Sequence, residues 1–413
     1  MSSNKPIYRW WVLFSCTMVF TLGLGMGWTY IIMAVSSVVD DLHLPLTDWG
    51  TLWAAISFGT LLFAAMGGAL GDRFGVRRVV GLGLLLMGTT LVMRGSASGF
   101  WSMYVWMMLF GVSIALIFPN VPKALGMWFE PHELGLANGI TIAGYGAGGG
   151  LAGALTPWLL HILGNWRHLS VTLGWTIAVL GLLWLFSIRD HHQAGAEKQQ
   201  PKSMREALRH VLRLKDVWLI AGCYLLSMGG YLGVIGYAPT YLVNEQGVSP
   251  ERAGFVILLV LWSNMAGSLL FPVISDKIGL RKIVCVPGLV LAGIFIYLAA
   301  YAVGPVLSIV AVLWGFTAGV SPIIFVVPLE MQDVGPEHAG SAVGFALSAS
   351  YLGGVIMPVI GMRLVALNPV AGFAFWGASF GLSGLVFLLL KETGPGRRKA
   401  LPAAPVLPGS HVP

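Results

Sequence analysis

The feature that most constrains this chain is a short polar sequence that occurs twice. Residues 68–78 read GALGDRFGVRR, and residues 272–282 read PVISDKIGLRK. Each copy follows a long apolar run and precedes another, so each is predicted to be a turn between two membrane helices. A turn that recurs about 204 residues later in a 413-residue chain indicates two homologous halves. Such internal duplication is typical of transporters.

The composition predicts an integral membrane protein. Hydrophobic residues make up 56% of the chain and charged residues only 10%, whereas about 25% of the residues of a soluble domain are charged. The net charge of +7 comes from basic loops beside apolar runs, which argues against nucleic-acid binding. Cys16, Cys223 and Cys285 lie in or beside apolar runs without metal-ligand spacing. They are predicted to be small buried hydrophobes.

The apolar runs predict an all-α membrane fold of about twelve spans in two pseudo-symmetric six-helix bundles. The predicted spans are 10–38, 49–71, 78–97, 100–126, 134–160 and 170–188, then 217–243, 254–275, 282–302, 304–328, 339–363 and 370–391.

Four segments follow from these spans. They are an N-terminal bundle (1–188), a cytoplasmic linker (189–216), a C-terminal bundle (217–391) and a disordered cytoplasmic tail (392–413). Within the linker, residues 201–215 place apolar side chains at helical spacing among arginines, which predicts a basic amphipathic helix on the inner membrane surface. A tethering role is favoured over a regulatory one.

The distribution of Lys and Arg predicts that both termini are cytoplasmic. With this orientation only Arg94, Arg167, Arg252 and Arg363 fall on the outer side, and Lys123 lies inside a span. All other basic residues fall on the inner side, as the positive-inside rule requires. We expect a multi-pass protein of a bacterial inner membrane.

The two halves also match outside the turns. Tyr30 corresponds to Tyr237 at an offset of 207. The turn at residues 72–78, echoed after span 8, resembles the signature turn of the major facilitator superfamily, and the resemblance covers residues 9–391. It implies rocker-switch alternating access, with gating by residues of the two turns: Gly68, Asp72, Arg73, Arg77, Arg78, Asp276, Lys277 and Arg281.

Two residues of the first turn carry specific expectations. Gly68 is expected to let span 2 approach a neighbouring helix closely. Asp72 is expected to pair with an arginine or a helix N-terminus. In the second copy Pro272 replaces the glycine, so an equivalent close approach is not expected there.

A narrower resemblance lies in spans 4 and 5. Residues 118–123 (FPNVPK), 128–131 (WFEP) and 135–140 (GLANGI), with GNWR at 164–167, are similar to the branch containing cyanate permease-like and organic-anion transporters. This resemblance implies a small anionic solute.

The candidate substrate-binding residues are polar or aromatic side chains inside the spans. Lys123 is an ionisable group inside a span, so it is a functional candidate, either as an anion contact or inner-gate partner or as a lysine that snorkels to the headgroups. Asn264 needs a partner at mid-bilayer depth. For each tyrosine, packing is the alternative to substrate contact. The candidates are Lys123, Asn120, Asn264, Tyr30, Tyr145, Tyr237 and Tyr351.

The chain lacks enzyme motifs, because no catalytic Ser-His-Asp set, metal-ligand spacing or nucleotide motif is present. We therefore expect no enzyme, cofactor or metal. The predicted function is secondary transport of a small anionic organic solute by a monomer in the lipid bilayer, with a coupling proton or a counter-anion. The alternatives are a proton-driven exporter of apolar or drug-like compounds and, in another class, a non-transporting membrane sensor.

Overall fold

The computed structural model describes residues 5–190, 209–331 and 333–394, and in these ranges the chain forms helices and no strands. Twelve long helices follow one another, in agreement with the predicted all-α fold. They are α1 (Ile7–Met33), α2 (Asp48–Phe74), α3 (Val76–Arg94), α4 (Phe100–Gly126), α5 (Pro131–Leu163), α6 (Trp166–Ser187), α7 (Lys215–Asn244), α8 (Pro250–Ile278), α9 (Lys282–Ala299), α10 (Gly304–Glu330), α11 (Gly335–Leu367) and α12 (Pro369–Leu388).

Eleven of these described helices are long and apolar enough to cross a membrane. The twelfth, α5, has 33 residues and is therefore also long enough. Its run of glycines lowers its mean hydropathy. Since α5 packs against α1 on one side and α8 on the other, much of its surface is covered by protein.

Three helices are interrupted. In α1 an α-helical start gives way to a π-helical stretch, Val19–Met26, and the helix ends where Ala34 leaves helical geometry before a short helix, Val35–Asp41. Span 1 was predicted as one helix to residue 38, so its end was placed too late. Breaks in α4 and α10 lie at residues 118–120 and 319–320, beside prolines that cannot complete the helical hydrogen bonding.

The helices pack as two bundles. In the first half α2 packs on α4 and α3 packs on α6; in the second half α7 packs on α11 and α9 packs on α12. The two bundles meet where α2 contacts α11 and where α5 contacts α8. The fold therefore repeats with approximate twofold symmetry, as the duplicated sequence predicts.

Both repeated turns lie at the same end of the molecule, which we call the turn end; the opposite end is the far end. Gly75 and Gly279 make the turns with φ of 89° and 78°, values that glycine adopts without steric cost. Most of the predicted amphipathic helix and of the predicted tail lies outside the described residues. Residues 392–394 are described and contact the second turn.

Candidate functional site

The first turn is tied to α4 by Lys123. The Lys123 Nζ donates to the Asp72 carboxylate at 2.5 Å and to the Gly68 carbonyl at 2.8 Å. Asp72 is expected from the sequence to pair with an arginine or a helix N-terminus, but its partner in the structure is this lysine. The pair is open to solvent, because 69% of the Asp72 side chain is exposed.

The close approach of α2 to α4 occurs beside Gly68 and not at it. A Cβ at Gly68 would only touch its neighbours at ordinary distance. A Cβ at Gly67 would overlap the Ala115 carbonyl, and one at Gly71 would overlap the Asn120 side chain. The expectation for Gly68 is therefore wrong, because the helix face that meets α4 is set one residue earlier.

The second turn is held by a buried ionic network around Arg281. Its guanidinium donates to Glu330 at 2.6 Å and to Asp276 at 2.6 Å, and it also bonds Ser275. The hydrogen bonds with the Glu330 carboxylate raise the pKa of Arg281. Thr393 donates a further hydrogen bond to Glu330. The network therefore joins α8, α10 and the segment after α12.

Each half also caps its turn with a carboxylate that follows its last helix. Asp190 accepts the backbone N–H of Arg77 at 2.9 Å, and Glu392 accepts those of Arg281 and Lys282 at 2.7 and 3.1 Å. Burial alone would raise the pKa of Glu392, but its backbone hydrogen bonds lower it below the ordinary value. The remaining gating candidates are exposed at this end: Arg73, Arg78 and Lys277.

The bundles are sealed against each other at the far end. Trp49 and Trp53, on α2, donate their indole N–H groups to the carbonyls of Gly236 and Leu232 on α7, at 3.0 and 2.8 Å. On the other side of the molecule, a Cβ at Gly254 of α8 would overlap the backbone of α5. Contacts this close leave no passage between the bundles at these points.

At the turn end, by contrast, four glycines of α5 and α11 have open space beside them. Gly135 and Gly139 on α5, and Gly340 and Gly344 on α11, lie near the ends that carry the turns. A Cβ at any of the four would meet no atom of the described chain within 4 Å. Among the described residues, the bundles are therefore in tight contact at the far end and make no contact beside these four glycines at the turn end.

A group of polar and aromatic side chains lies where α5, α7 and α8 meet at mid-depth; we call it the central site. Tyr145 and Tyr231, on opposite bundles, are close enough to interact electrostatically. On α8, Trp262 packs over Gly150 and Met265 over Gly146. Asn264, which lies between these two residues in the sequence, donates a long hydrogen bond of 3.4 Å to the Gly315 carbonyl on α10. The central site contains hydrogen-bond donors but no charged side chain.

Several predicted candidates lie outside the central site. Asn120 is fully buried and donates to the Gly67 carbonyl at 2.7 Å. Tyr30 is buried in the N-terminal bundle, where its hydroxyl meets Ser170 at 2.7 Å. Tyr237 is buried in the C-terminal bundle among aromatic rings. Of the remaining two, Lys123 lies on α4 and binds the first turn, and Tyr351 is half-buried on α11.

The two far-end tryptophans and the π-helical stretch of α1 were not predicted from the sequence. This stretch packs on the glycine run of α5, where a Cβ at Gly25 would lie 2.7 Å from the Tyr145 carbonyl. A π-helical stretch frequently marks a functional site. No sequence signal separated Trp49 and Trp53 from interface anchors, because aromatic residues near span ends serve both purposes.

Comparisons with known proteins agree on one family. The family model described as Major Facilitator Superfamily matches residues 15–358. A probable sulfoacetate transporter of Cupriavidus necator is 24% identical over 87% of this chain and 88% of its own length. A glycerol-3-phosphate transporter of Bacillus subtilis is 25% identical over 83% of this chain and 84% of its own length.

A solved structure has the same fold. It is that of a bacterial homologue of the human lysosomal transporter Spinster, in an inward-facing and unoccupied conformation. It superimposes with a TM-score of 0.72 at 16% identity, covering 92% of this chain and 95% of that one.

Proposed function

This chain belongs to the major facilitator superfamily, and on that premise we propose that it is a secondary transporter that moves a small anionic organic solute by alternating access. The observation that supports this proposal most is the contrast between the two ends. A molecule that is sealed at the far end and open at the turn end has the geometry of one of the two states that alternating access requires. The two relatives named for sulfoacetate and glycerol-3-phosphate favour an organic anion.

We propose that the turn end is cytoplasmic and that the protein lies in a bacterial inner membrane. The excess of Lys and Arg on the side of the turns supports this orientation. The structure then corresponds to the state that is open to the cytoplasm.

The solute would bind at the central site through neutral donors. The Tyr145 and Tyr231 hydroxyls and the Asn264 amide can donate hydrogen bonds to a carboxylate, sulfonate or phosphate oxygen. Trp262 and Met265 supply an apolar surface beside them. Without a cation in the site, a bound anion keeps its charge uncompensated, so we propose that it enters with its own proton or exchanges for a counter-anion.

We assign Lys123 to the gate and not to the solute. Its ammonium is occupied by Asp72 and the Gly68 carbonyl. Opening the far end requires the loss of the two tryptophan hydrogen bonds to α7, while closing the turn end brings α5 and α11 together. The Lys123–Asp72 pair lies at the turn end, which closes in this step. Lys123 would then release Asp72 for new contacts.

The test is uptake by proteoliposomes that contain the purified protein. Labelled carboxylates, sulfonates and organophosphates are screened first. The kcat/KM for the best solute is then measured for Tyr145→Phe, Tyr231→Phe and Asn264→Ala. We expect a loss of about tenfold or more for each, since each removes one hydrogen bond to a charged ligand.

Tyr237→Phe is the matched control, because it removes a phenol hydroxyl that is buried inside one bundle and should leave kcat/KM unchanged. Unchanged uptake in all three central-site variants would overturn the site assignment. Absence of uptake for every anion would overturn the solute class.

The aromatic, uncharged central site also suits the second candidate, a proton-driven exporter of apolar compounds. The same liposomes distinguish the two functions. Accumulation of a hydrophobic dye under an imposed pH gradient, without uptake of any anion, would favour the exporter.

A further inference from the structure

Arg94 is a charged side chain inside the N-terminal bundle, and the function proposed above assigns it no role. It is the last residue of α3 and is 0% exposed. Its three guanidinium nitrogens have no hydrogen-bond partner among the described residues. Arg94 was predicted to lie on the outer side of the membrane, and in the structure its side chain is buried inside the bundle.

The surroundings of Arg94 are polar on one side and aromatic on the other. Its guanidinium carbon lies 4.4 Å from the centre of the Phe110 ring, and it interacts with the Tyr30 hydroxyl. Ser170 donates its only proton to the Leu91 carbonyl, so Tyr30 must donate to Ser170. The lone pairs of the Tyr30 oxygen therefore remain available on the side of the arginine.

No carboxylate of the described residues forms an ion pair with Arg94. An arginine stays protonated in a protein, and the only charge-like interaction on Arg94 comes from Tyr30. Asp41, a carboxylate near the same end, is taken by Arg167 at 2.7 Å and by the Trp166 indole at 3.0 Å. The C-terminus of α3 and the Phe110 ring favour a cation, but neither accepts all of its N–H groups.

We propose that Arg94 is the centre of a binding site for a small inorganic anion of about the size of chloride, enclosed by α1, α3, α4 and α6. An enclosed guanidinium with free N–H groups offers charge-assisted hydrogen bonds to an anion. Water would satisfy the N–H groups but would leave the buried charge uncompensated, and an unpaired buried charge is strongly destabilising. The full burial of Arg94 restricts the ligand to a monatomic or similarly small anion.

The anion site is separate from the central site and has a different consequence. It joins α3 to α1 through Tyr30 and to α6 through Ser170. The anion would therefore connect helices of the N-terminal bundle without touching the other bundle. Its occupancy should change the stability of the N-terminal bundle and leave the KM for the transported solute unaltered.

The experiment is a thermal unfolding series on the full-length protein in detergent. Sodium gluconate is replaced stepwise by sodium chloride, bromide or nitrate at constant ionic strength. We expect the Tm of the wild type to rise and saturate with each small anion, as binding to the native state requires. Arg94→Gln should lose the rise, and Tyr30→Phe should weaken the apparent affinity severalfold.

Arg363→Gln is the matched control, because Arg363 is exposed near the same end and its loss should leave the rise intact. An equal Tm in gluconate and chloride for the wild type would overturn the proposal, and so would an unchanged rise in Arg94→Gln. If Arg94→Gln does not fold, crystals of the wild type soaked in bromide decide. An anomalous peak within hydrogen-bond distance of the guanidinium supports the site, and water alone at that position refutes it.

Discussion

The two repeated turns each bend at a glycine with positive φ, but they are held by ionic contacts of opposite arrangement. In the first turn the helix that follows the next span supplies a cation, Lys123, which pairs with an exposed Asp72. In the second turn the equivalent helix supplies an anion, Glu330, which pairs with a buried Arg281. Only 6% of the Arg281 side chain is exposed, compared with 34% for Lys123.

The two copies therefore share the glycine of the turn and not its electrostatics. An exposed pair contributes little to stability and exchanges partners easily. A buried network becomes costly once one member is removed. We infer that the first turn is the releasable contact of the gate and that the second turn is a fixed joint between α8 and α10.

Removal of the central cation of the second turn should have the largest effect. Arg281→Gln leaves Glu330 and Asp276 without their partner and should lower the free energy of unfolding by about 3 kcal/mol. Chemical unfolding in mixed micelles measures this loss. Lys277→Gln, at an exposed position of the same turn, is the control and should change little. Equal losses for the two variants would show that the second turn is not a fixed joint.

The contact between α2 and α4 near the first turn should have the second-largest effect on stability. Gly67→Ala places a Cβ against the Ala115 carbonyl and should cost about 2 kcal/mol through overpacking. Gly68→Ala has room for its methyl group and should be neutral or slightly stabilising, because alanine favours helices. Unfolding of both variants under identical conditions tests the pair. A larger loss for Gly68→Ala would contradict the placement of the close approach.

The cap of the second turn predicts a pH dependence. The pKa of Glu392 is lowered in the folded state, so its contribution is present above the ordinary value of 4.5 and is lost as the pH falls through the lowered value. Glu392→Gln should therefore reduce stability by less than about 1 kcal/mol at neutral pH, and the difference from the wild type should vanish in acid. Melting temperatures across this range measure it, with exposed Glu245→Gln as the control. A difference that persists in acid would exclude the carboxylate as its source.

The exposed pair of the first turn should have the smallest effect on stability. Lys123→Ala, Asp72→Asn and their double variant form a cycle with a coupling of about 0.5 kcal/mol. The same variants should alter the transport rate, since the pair lies at the closing end. A coupling as large as the effect of Arg281→Gln would remove the distinction between the two turns.

The fold could be predicted from the sequence because its signals are long and repeated. Apolar runs of membrane length, glycine at the two turns and a consistent register between the halves all point to the same architecture. The end of α1 was missed, because the departure of Ala34 from helical geometry leaves no composition signal. The glycine run of α5 contacts both α1 and α8 in the structure.

The site was less predictable than the fold. The periodicity of a sequence identifies which residues share a helix face, but not which other helix packs against that face. Tyr30 and Tyr237 occupy corresponding positions of the two halves, and each is buried inside its own bundle. Asn120 lies in the break of α4 one turn before Lys123, yet its amide donates to the Gly67 carbonyl. Only Tyr145 and Asn264 were predicted and also lie in the central site. Arg94 was predicted to lie on the outer side, since a charge at the end of a span normally reaches the headgroups.

The far-end seal has a consequence for how this protein can diverge. The acceptors for Trp49 and Trp53 are main-chain carbonyls, which every residue type carries. Side chains on α7 can therefore be substituted without removing the hydrogen-bond acceptors of the far-end seal. Gly236 is the exception, because a side chain there would overlap the Trp53 ring. Selection for a new cargo can act on the lining of the path while the closing mechanism is inherited unchanged.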